Sequence, residues 1–213
     1  VIILNNNNLD NYMYNFFSII KYLIFSLLFI IISCSSNSSK INKVENIERN
    51  VDEIYNSAMQ YMDDNKYMKA YEEFTEVERL HPYSIWATRA QLMTSYANYK
   101  LYQHEDSISG AKRYIQLHPG ASDIDYAFYL ISLNYYEQIN DYRRDQSLTN
   151  RAKEAFNNLI RRFPNSEYAR DAKLKLDLVN DHLAAKEMDV GRTYQNSDNY
   201  ISALNRFKKV VDS

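Results

Sequence analysis

Four histidines are the first side chains with which this chain could hold a metal or move a proton: His81, His104, His118 and His182. No two stand at the i, i+4 spacing that sets a pair of imidazoles on one side of a helical zinc site. His81 and His118 each directly precede a proline, which favours a structural role. Adjacent carboxylates occur at Asp63-Asp64 and Glu72-Glu73. Neighbours on a helix project about 100° apart and do not converge on one substrate, so both pairs read as solvent-facing. The phosphate-cradling patterns GxxxxGKS/T and GxGxxG and the nucleophile pattern GxSxG are absent. With no catalytic residue, no metal ligand and no cofactor site in view, the chain is expected not to be an enzyme. Recognition has richer material in the twenty tyrosines, each a large apolar face with a polar tip.

The sole cysteine carries a different chemistry. Phe16 to Ile32 is almost wholly apolar, interrupted by Lys21, and the run from Tyr22 to Ile32 is 11 residues long. That length suits the hydrophobic region of a signal peptide and falls short of the roughly 20 residues needed to cross a bilayer. Ile31-Ile32-Ser33-Cys34 resembles the lipobox of bacterial lipoproteins. The alternative, a buried thiol acting as a small hydrophobe, is disfavoured by the flexible Ser35-Ser36-Asn37-Ser38-Ser39 that follows. We therefore expect residues 1–33 to be a signal peptide and 34–50 a lipidated cysteine with its tether. The resemblance implies that Cys34 bears covalent N-acyl and diacylglycerol lipid, the chain's only hold on the membrane. The sequence opens on Val1, and Met13 is a candidate start with Lys21 as the charge of a short leader.

Behind that leader the elements must be helices. Three Gly and three Pro in 213 residues leave little room for the turns of a many-stranded sheet. The 25 basic and 27 acidic residues alternate with apolar ones at helical spacing, giving a net charge of -2. No surface needs to carry the positive field that phosphate backbones require, so nucleic acid is excluded as an expected partner.

All three prolines close a similar phrase: Leu80-His81-Pro82, Leu117-His118-Pro119 and Phe163-Pro164. Setting Pro82 at position 32 of a 34-residue unit puts Ile54 at 4, Ala58 at 8, Tyr61 at 11, Ala70 at 20, Phe74 at 24 and Val77 at 27. This is similar to the tetratricopeptide (TPR) repeat, in which small residues let paired helices approach and large ones fill the gaps. The unit ending at Pro164 places Ala152, Phe156 and Leu159 likewise, opposite Phe128, Ser132 and Tyr135. Eight extra residues there are expected to form a loop within Asn140 to Asn150. The unit ending at Pro119 matches less well, with Ser95, Asn98, Ser107 and Ala111. An extra helix is expected from the stripe Tyr168, Ala172, Leu176, Val179 and Leu183, followed by a fourth unit with Gly191, Tyr194, Ala203, Phe207 and Val210. That unit stops at Ser213 without a closing proline or capping helix, so we expect a shortened version of a longer protein. The fold class is all-α, a TPR helical solenoid, with units 1–3 over 51–165 and the extra helix and incomplete unit over 166–213.

In this repeat type, positions 2, 5, 9 and 12 of the first helix line the concave face. They give Tyr55, Met59 and Met62; Leu92, Tyr96 and Tyr99; and Tyr126, Tyr129, Leu133 and Tyr136. Either these form a peptide groove or several of them pack between repeats. Lys100 is placed to meet a peptide's terminal carboxylate.

Whole phrases resemble the BamD family, lipoproteins of the outer-membrane β-barrel assembly machinery, in its alphaproteobacterial form. They are His81-Pro82-Tyr83-Ser84-Ile85-Trp86-Ala87, Arg113 to Gly120, Tyr135 to Ile139 with Arg144-Asp145-Gln146, and above all RRFPNSEYARDAKLKLDLVNDHLAAKEM from Arg161 to Met188, then Val190-Gly191-Arg192-Thr193-Tyr194. The likeness covers roughly Val51 to Ser213 and departs from the family where the last repeat is missing. It implies a non-catalytic role in assembling and inserting β-barrel proteins, at the periplasmic side of the outer membrane. It also implies two kinds of partner: the POTRA region of BamA with other subunits of the complex, docked through the C-terminal half, and the aromatic-ended C-terminal segments of unfolded outer-membrane proteins, held by the N-terminal repeats. Arg206, between Ala203 and Phe207, is the candidate for BamA docking; the alternative is an ordinary solvated arginine. A periplasmic TPR lipoprotein of cell-envelope division or the Tol-Pal system is the competing reading.

Overall fold

Each helix begins and ends for a reason visible in its own residues. In the computed structural model, which describes residues 49–212, the helices are α1 (Val51–Asp63), α2 (Tyr67–Leu80), α3 (Ile85–Lys100), α4 (His104–Leu117), α5 (Ile124–Glu137), α6 (Ser147–Arg162), α7 (Glu167–Asn196) and α8 (Tyr200–Asp212). Apolar residues at i, i+4 and i+8 give α1 one buried stripe, Ile54, Ala58 and Met62, and α2 answers with Ala70, Phe74 and Val77. Consecutive helices pack as antiparallel hairpins stacked in chain order, as the TPR reading requires.

The stops before the prolines are nearly identical. His81, His118 and Phe163 have φ of -131°, -127° and -131° with ψ of 55°, 57° and 59°. A residue before proline is barred from the helical region by the pyrrolidine ring, so each helix ends there. The carbonyls of the three then accept from the N–H groups of Ser84, Ala121 and Ser166 at 3.0, 3.1 and 3.0 Å. Ser84 and Ser166 start the next helices by accepting from the backbone N–H of Ala87 and Tyr168.

The tight turns inside the hairpins also share one geometry. Asn65, Tyr102 and Asp198 sit at φ 59°, 60° and 58°. The following N–H of Lys66, Gln103 and Asn199 donates back to the carbonyl of Tyr61, Asn98 and Tyr194 at 2.8, 2.9 and 2.9 Å. This is the Schellman ending, which usually takes glycine at the left-handed position; none of the three is glycine. The third hairpin instead joins α5 to α6 through Gln138 to Gln146, which overlaps the long loop expected within Asn140 to Asn150 but ends sooner, because Ser147 to Asn150 are already helical.

The core runs through the hairpins as three clusters. Ile54, Ala58, Phe74 and Val77 anchor the first, Leu92, Ile108, Tyr114 and Leu130 the second, and Phe156, Leu159, Ala172 and Val179 the third. Between α3, α4 and α5 lies a buried polar chain. Ser107 Oγ donates to the Ser95 carbonyl (2.8 Å), the Asn134 amide donates to Ser107 Oγ (2.8 Å), and His104 Nδ1 meets Asn134 Oδ1 at 3.0 Å.

One boundary differs from the expectation. The extra helix and the first helix of the fourth unit are a single helix of 30 residues, α7, about 45 Å long at 1.5 Å per residue. Between Ser166 and Gly191 there is no proline and no glycine to interrupt it. Gly191 is tolerated in its interior because α8 presses on it: a Cβ added there would lie 2.4 Å from Cε1 of Phe207.

A tyrosine-lined face across three hairpins

The first helices of successive hairpins, α3, α5 and α7, present one continuous set of rings. Tyr96 stacks on Tyr99 with centroids 6.2 Å apart and meets the edge of Tyr126 at 6.2 Å. Tyr126 lies 5.1 Å from Tyr168, which in turn stacks on Tyr129 at 5.2 Å. Repeat stacking brings together residues up to 72 positions apart in the chain, from Tyr96 to Tyr168. Burial, with the neighbouring phenols, holds the Tyr126 hydroxyl well above the ordinary tyrosine range. Burial first, and then the Glu137 carboxylate 3.4 Å away, push Tyr99 up to about 12. Burial and a hydrogen bond donated to Asp171 raise Tyr129 as well. Burial alone would raise the Asp171 carboxyl, but bonds from Lys175 and Tyr129 outweigh it and hold the group below its usual value. The face is therefore made of neutral phenols, with Glu137 and Asp171 as its acids.

The other candidates divide. Tyr55 packs between repeats, 4.7 Å from Trp86 and 5.5 Å from Phe74, and Tyr136 packs edge-on to Phe156 at 6.0 Å. Met59 is partly buried against the first cluster, and Leu133 is partly buried on α5. Met62 and Leu92 correct the expectation of a groove lining: at 8% and 4% exposure they belong to the core, Met62 beneath α2 and Leu92 against α4 and α5. Position 12 of the first unit continues the Ile54, Ala58, Met62 stripe by one more turn, and position 5 of the second lies within the wider buried face of α3, with Gln91, Ser95 and Asn98 beside it. Lys100 Nζ stands 5.3 Å from the Tyr67 ring and lines a small cleft with Tyr99, Tyr102, His104 and Glu137.

Tyr168, Asp171 and Leu178 were missed as parts of this face. Leu178 is 56% exposed and borders a cleft with Tyr136. The spacing that marked Tyr168 as a packing residue of an extra helix concealed that α7 also forms the next wall. In the C-terminal half, Arg206 Nη1 donates to both carboxylate oxygens of Glu187, at 2.9 and 3.3 Å, which clips α8 to α7. Cys34 and the whole apolar leader lie outside the described residues. Within those residues no group of histidine, cysteine and carboxylate side chains is arranged to hold a metal, and no helix is long and apolar enough to cross a membrane.

Known proteins are similar to this sequence. Outer membrane protein assembly factor BamD of Caulobacter vibrioides is 45% identical over 165 residues, 78% of this chain and 54% of that protein. Its namesake in Rickettsia prowazekii is 43% identical over 160 residues, covering 75% of this chain and 64% of the relative. In Neisseria gonorrhoeae the figure is 32% over 173 residues, with 76% and 65% covered. The chain thus spans between about half and two thirds of the length of these relatives. The family model YfiO, outer membrane lipoprotein, matches residues 47–213, which include all eight described helices, and the chain belongs to that family.

Proposed function

We propose that this chain is a non-catalytic scaffold and receptor in the assembly of outer-membrane β-barrel proteins, the work named for its relatives. The observation that carries the reading is the unbroken run of Tyr96, Tyr99, Tyr126, Tyr129 and Tyr168 across α3, α5 and α7. A barrel protein awaiting insertion exposes an aromatic-ended C-terminal segment. Stacked rings offer such a segment edge and face contacts at little entropic cost, each aromatic pair adding roughly 0.5 to 1.5 kcal/mol beyond the area it buries. Lys100, at the rim by Tyr99, supplies the charge for the terminal carboxylate.

The second half of the chain serves the machine itself. The POTRA region of BamA docks along α7 and α8, where a partner carboxylate competes with Glu187 for the Arg206 guanidinium. Other subunits of the complex join the same assembly. Lipid on Cys34 holds the chain at the periplasmic side of the outer membrane, with no membrane contact beyond that anchor.

Binding of a labelled peptide ending in Phe to the chain and to Tyr96→Ala tests the groove. A loss of roughly 30-fold is expected if the ring anchors the ligand, about 2 kcal/mol, and equal affinities refute it. Arg206→Leu should reduce recovery of BamA from membranes without affecting the peptide. A recovery containing Pal and its partners but no BamA would move the assignment to the Tol-Pal system.

A further inference from the structure

On the side of α5 turned away from the tyrosine face lies a second recess. Taking 100° per residue, Phe128, Ile131 and Tyr135 point roughly 150° from Tyr126, Tyr129, Leu133 and Tyr136. They floor a cleft of about 730 Å³ between the second helices of consecutive hairpins, α4 and α6. Its walls carry Lys112 from α4 and Arg151 and Arg162 from α6. Both guanidinium groups lie over the floor rings, Arg151 5.9 Å from the centre of Tyr135 and Arg162 5.1 Å from that of Phe128. None of the three cations forms an ion pair among the described residues, whereas Arg79, Arg113, Lys175 and Arg206 all do. The one carboxylate on the walls is Glu154. The recess therefore holds a surplus of two positive charges over an aromatic floor, in a chain whose overall charge is -2.

The geometry points to a docking cleft for an extended, acidic peptide segment of a partner protein, with a carboxylate beside an aromatic or branched apolar residue. Charge complementarity selects the occupant. The arginines are pre-set by their rings, so a carboxylate gains their N–H edges with little loss of freedom, while the neighbouring apolar side chain covers Ile131 and the ring edges. Asn158 Oδ1 accepts from Arg162 Nε at 3.0 Å, which steadies that guanidinium over Phe128 and leaves its other N–H groups for a ligand, while Gln116, Glu154 and the Asn158 NH2 group on the rims offer hydrogen bonds to a main chain. Main-chain amides can pair with Gln116 and the Asn158 NH2 group, and a lipid headgroup offers no such run of amides, which favours peptide over membrane. The inference does not rest on the tyrosine face, whose rings lie across α5.

Fluorescence anisotropy with a labelled Ser/Gly-flanked Asp-Phe-Glu-Leu peptide, and with its Asn-Phe-Gln-Leu counterpart, tests it on the whole chain. The acidic peptide should bind at least tenfold more tightly than the amide one. Lys112→Glu with Arg151→Glu should weaken it by a further factor of about ten, charge-assisted bonds being the strong ones, and Tyr96→Ala should leave it unchanged. The milder Arg151→Gln, expected to cost about threefold, replaces the double variant if circular dichroism shows lost helicity. Equal affinity for the two peptides, no binding up to about 1 mM, or indifference to the charge changes overturns the proposal. So does loss in Tyr96→Ala, which would place the peptide on the tyrosine face, or binding confined to phosphatidylglycerol vesicles.

Discussion

Replacing Asn134 by Leu keeps most of the side-chain volume and removes the polar link that ties α5 to α4, leaving the Ser107 bond to α3 in place. In the wild type this fully buried amide donates to Ser107 Oγ and to the Leu130 carbonyl, each at 2.8 Å, and meets His104 Nδ1 at 3.0 Å. Two of these bonds join different helices. The Leu130 carbonyl keeps its helical N–H, and partly exposed His104 can turn to water, so the loss centres on the two inter-helix bonds. At roughly 1 to 1.5 kcal/mol each, the expected cost is about 2 to 3 kcal/mol. For a helical body of this size that lowers the melting temperature by roughly 4 to 10 °C. Urea unfolding followed by circular dichroism should show a lower midpoint at unchanged slope. Since Ser107 is the direct partner, Ser107→Ala combined with Asn134→Leu should cost less than the sum of the two by roughly 0.5 to 1.5 kcal/mol. A variant as stable as the wild type, or strictly additive costs, would refute the view that this chain of bonds sets how the hairpins stack.

Tyr102 holds a left-handed backbone at φ 60° while 80% exposed, so Tyr102→Asn should raise stability by about 0.5 to 1 kcal/mol, seen as a higher thermal midpoint. A Cβ at Gly191 would meet the Phe207 ring at 2.4 Å; Gly191→Leu should therefore release α8, read as faster amide exchange over Tyr200–Asp212 with α1 to α4 unaffected. With the Tyr99 phenol raised from 10.0 to about 12, its contribution to stability is full below pH 10 and is lost as pH climbs towards 12. Spectroscopic titration should show this group ionising late, and Glu137→Gln should bring its midpoint down.

Much of the helical framework was legible in the residues alone. The three pre-proline stops, the small residues Ala58, Ala70 and Ala152 at the close approaches, and the large Ile54, Phe74, Phe156 and Leu159 all lie where a 3.6-residue period and a 34-residue unit put them. These are local properties: a helix's buried stripe and its stop are written within some fifteen residues, and the same physics reads them in any context. Tertiary structure decided what no local pattern carries. It ran the extra helix into the next unit as α7 and drew Met62 and Leu92 into the core. It let Asn65, Tyr102 and Asp198 take turns that glycine usually takes, because the hairpin's packing outweighs the local backbone cost. It also chose which tyrosines meet, Tyr126 with both Tyr96 and Tyr168 while Tyr55 packs on Trp86 and Phe74, since that depends on how far each hairpin rotates on the last. The rotation is set by side chains distant in sequence, the Asn134 chain among them, and so emerges only when the whole stack is assembled.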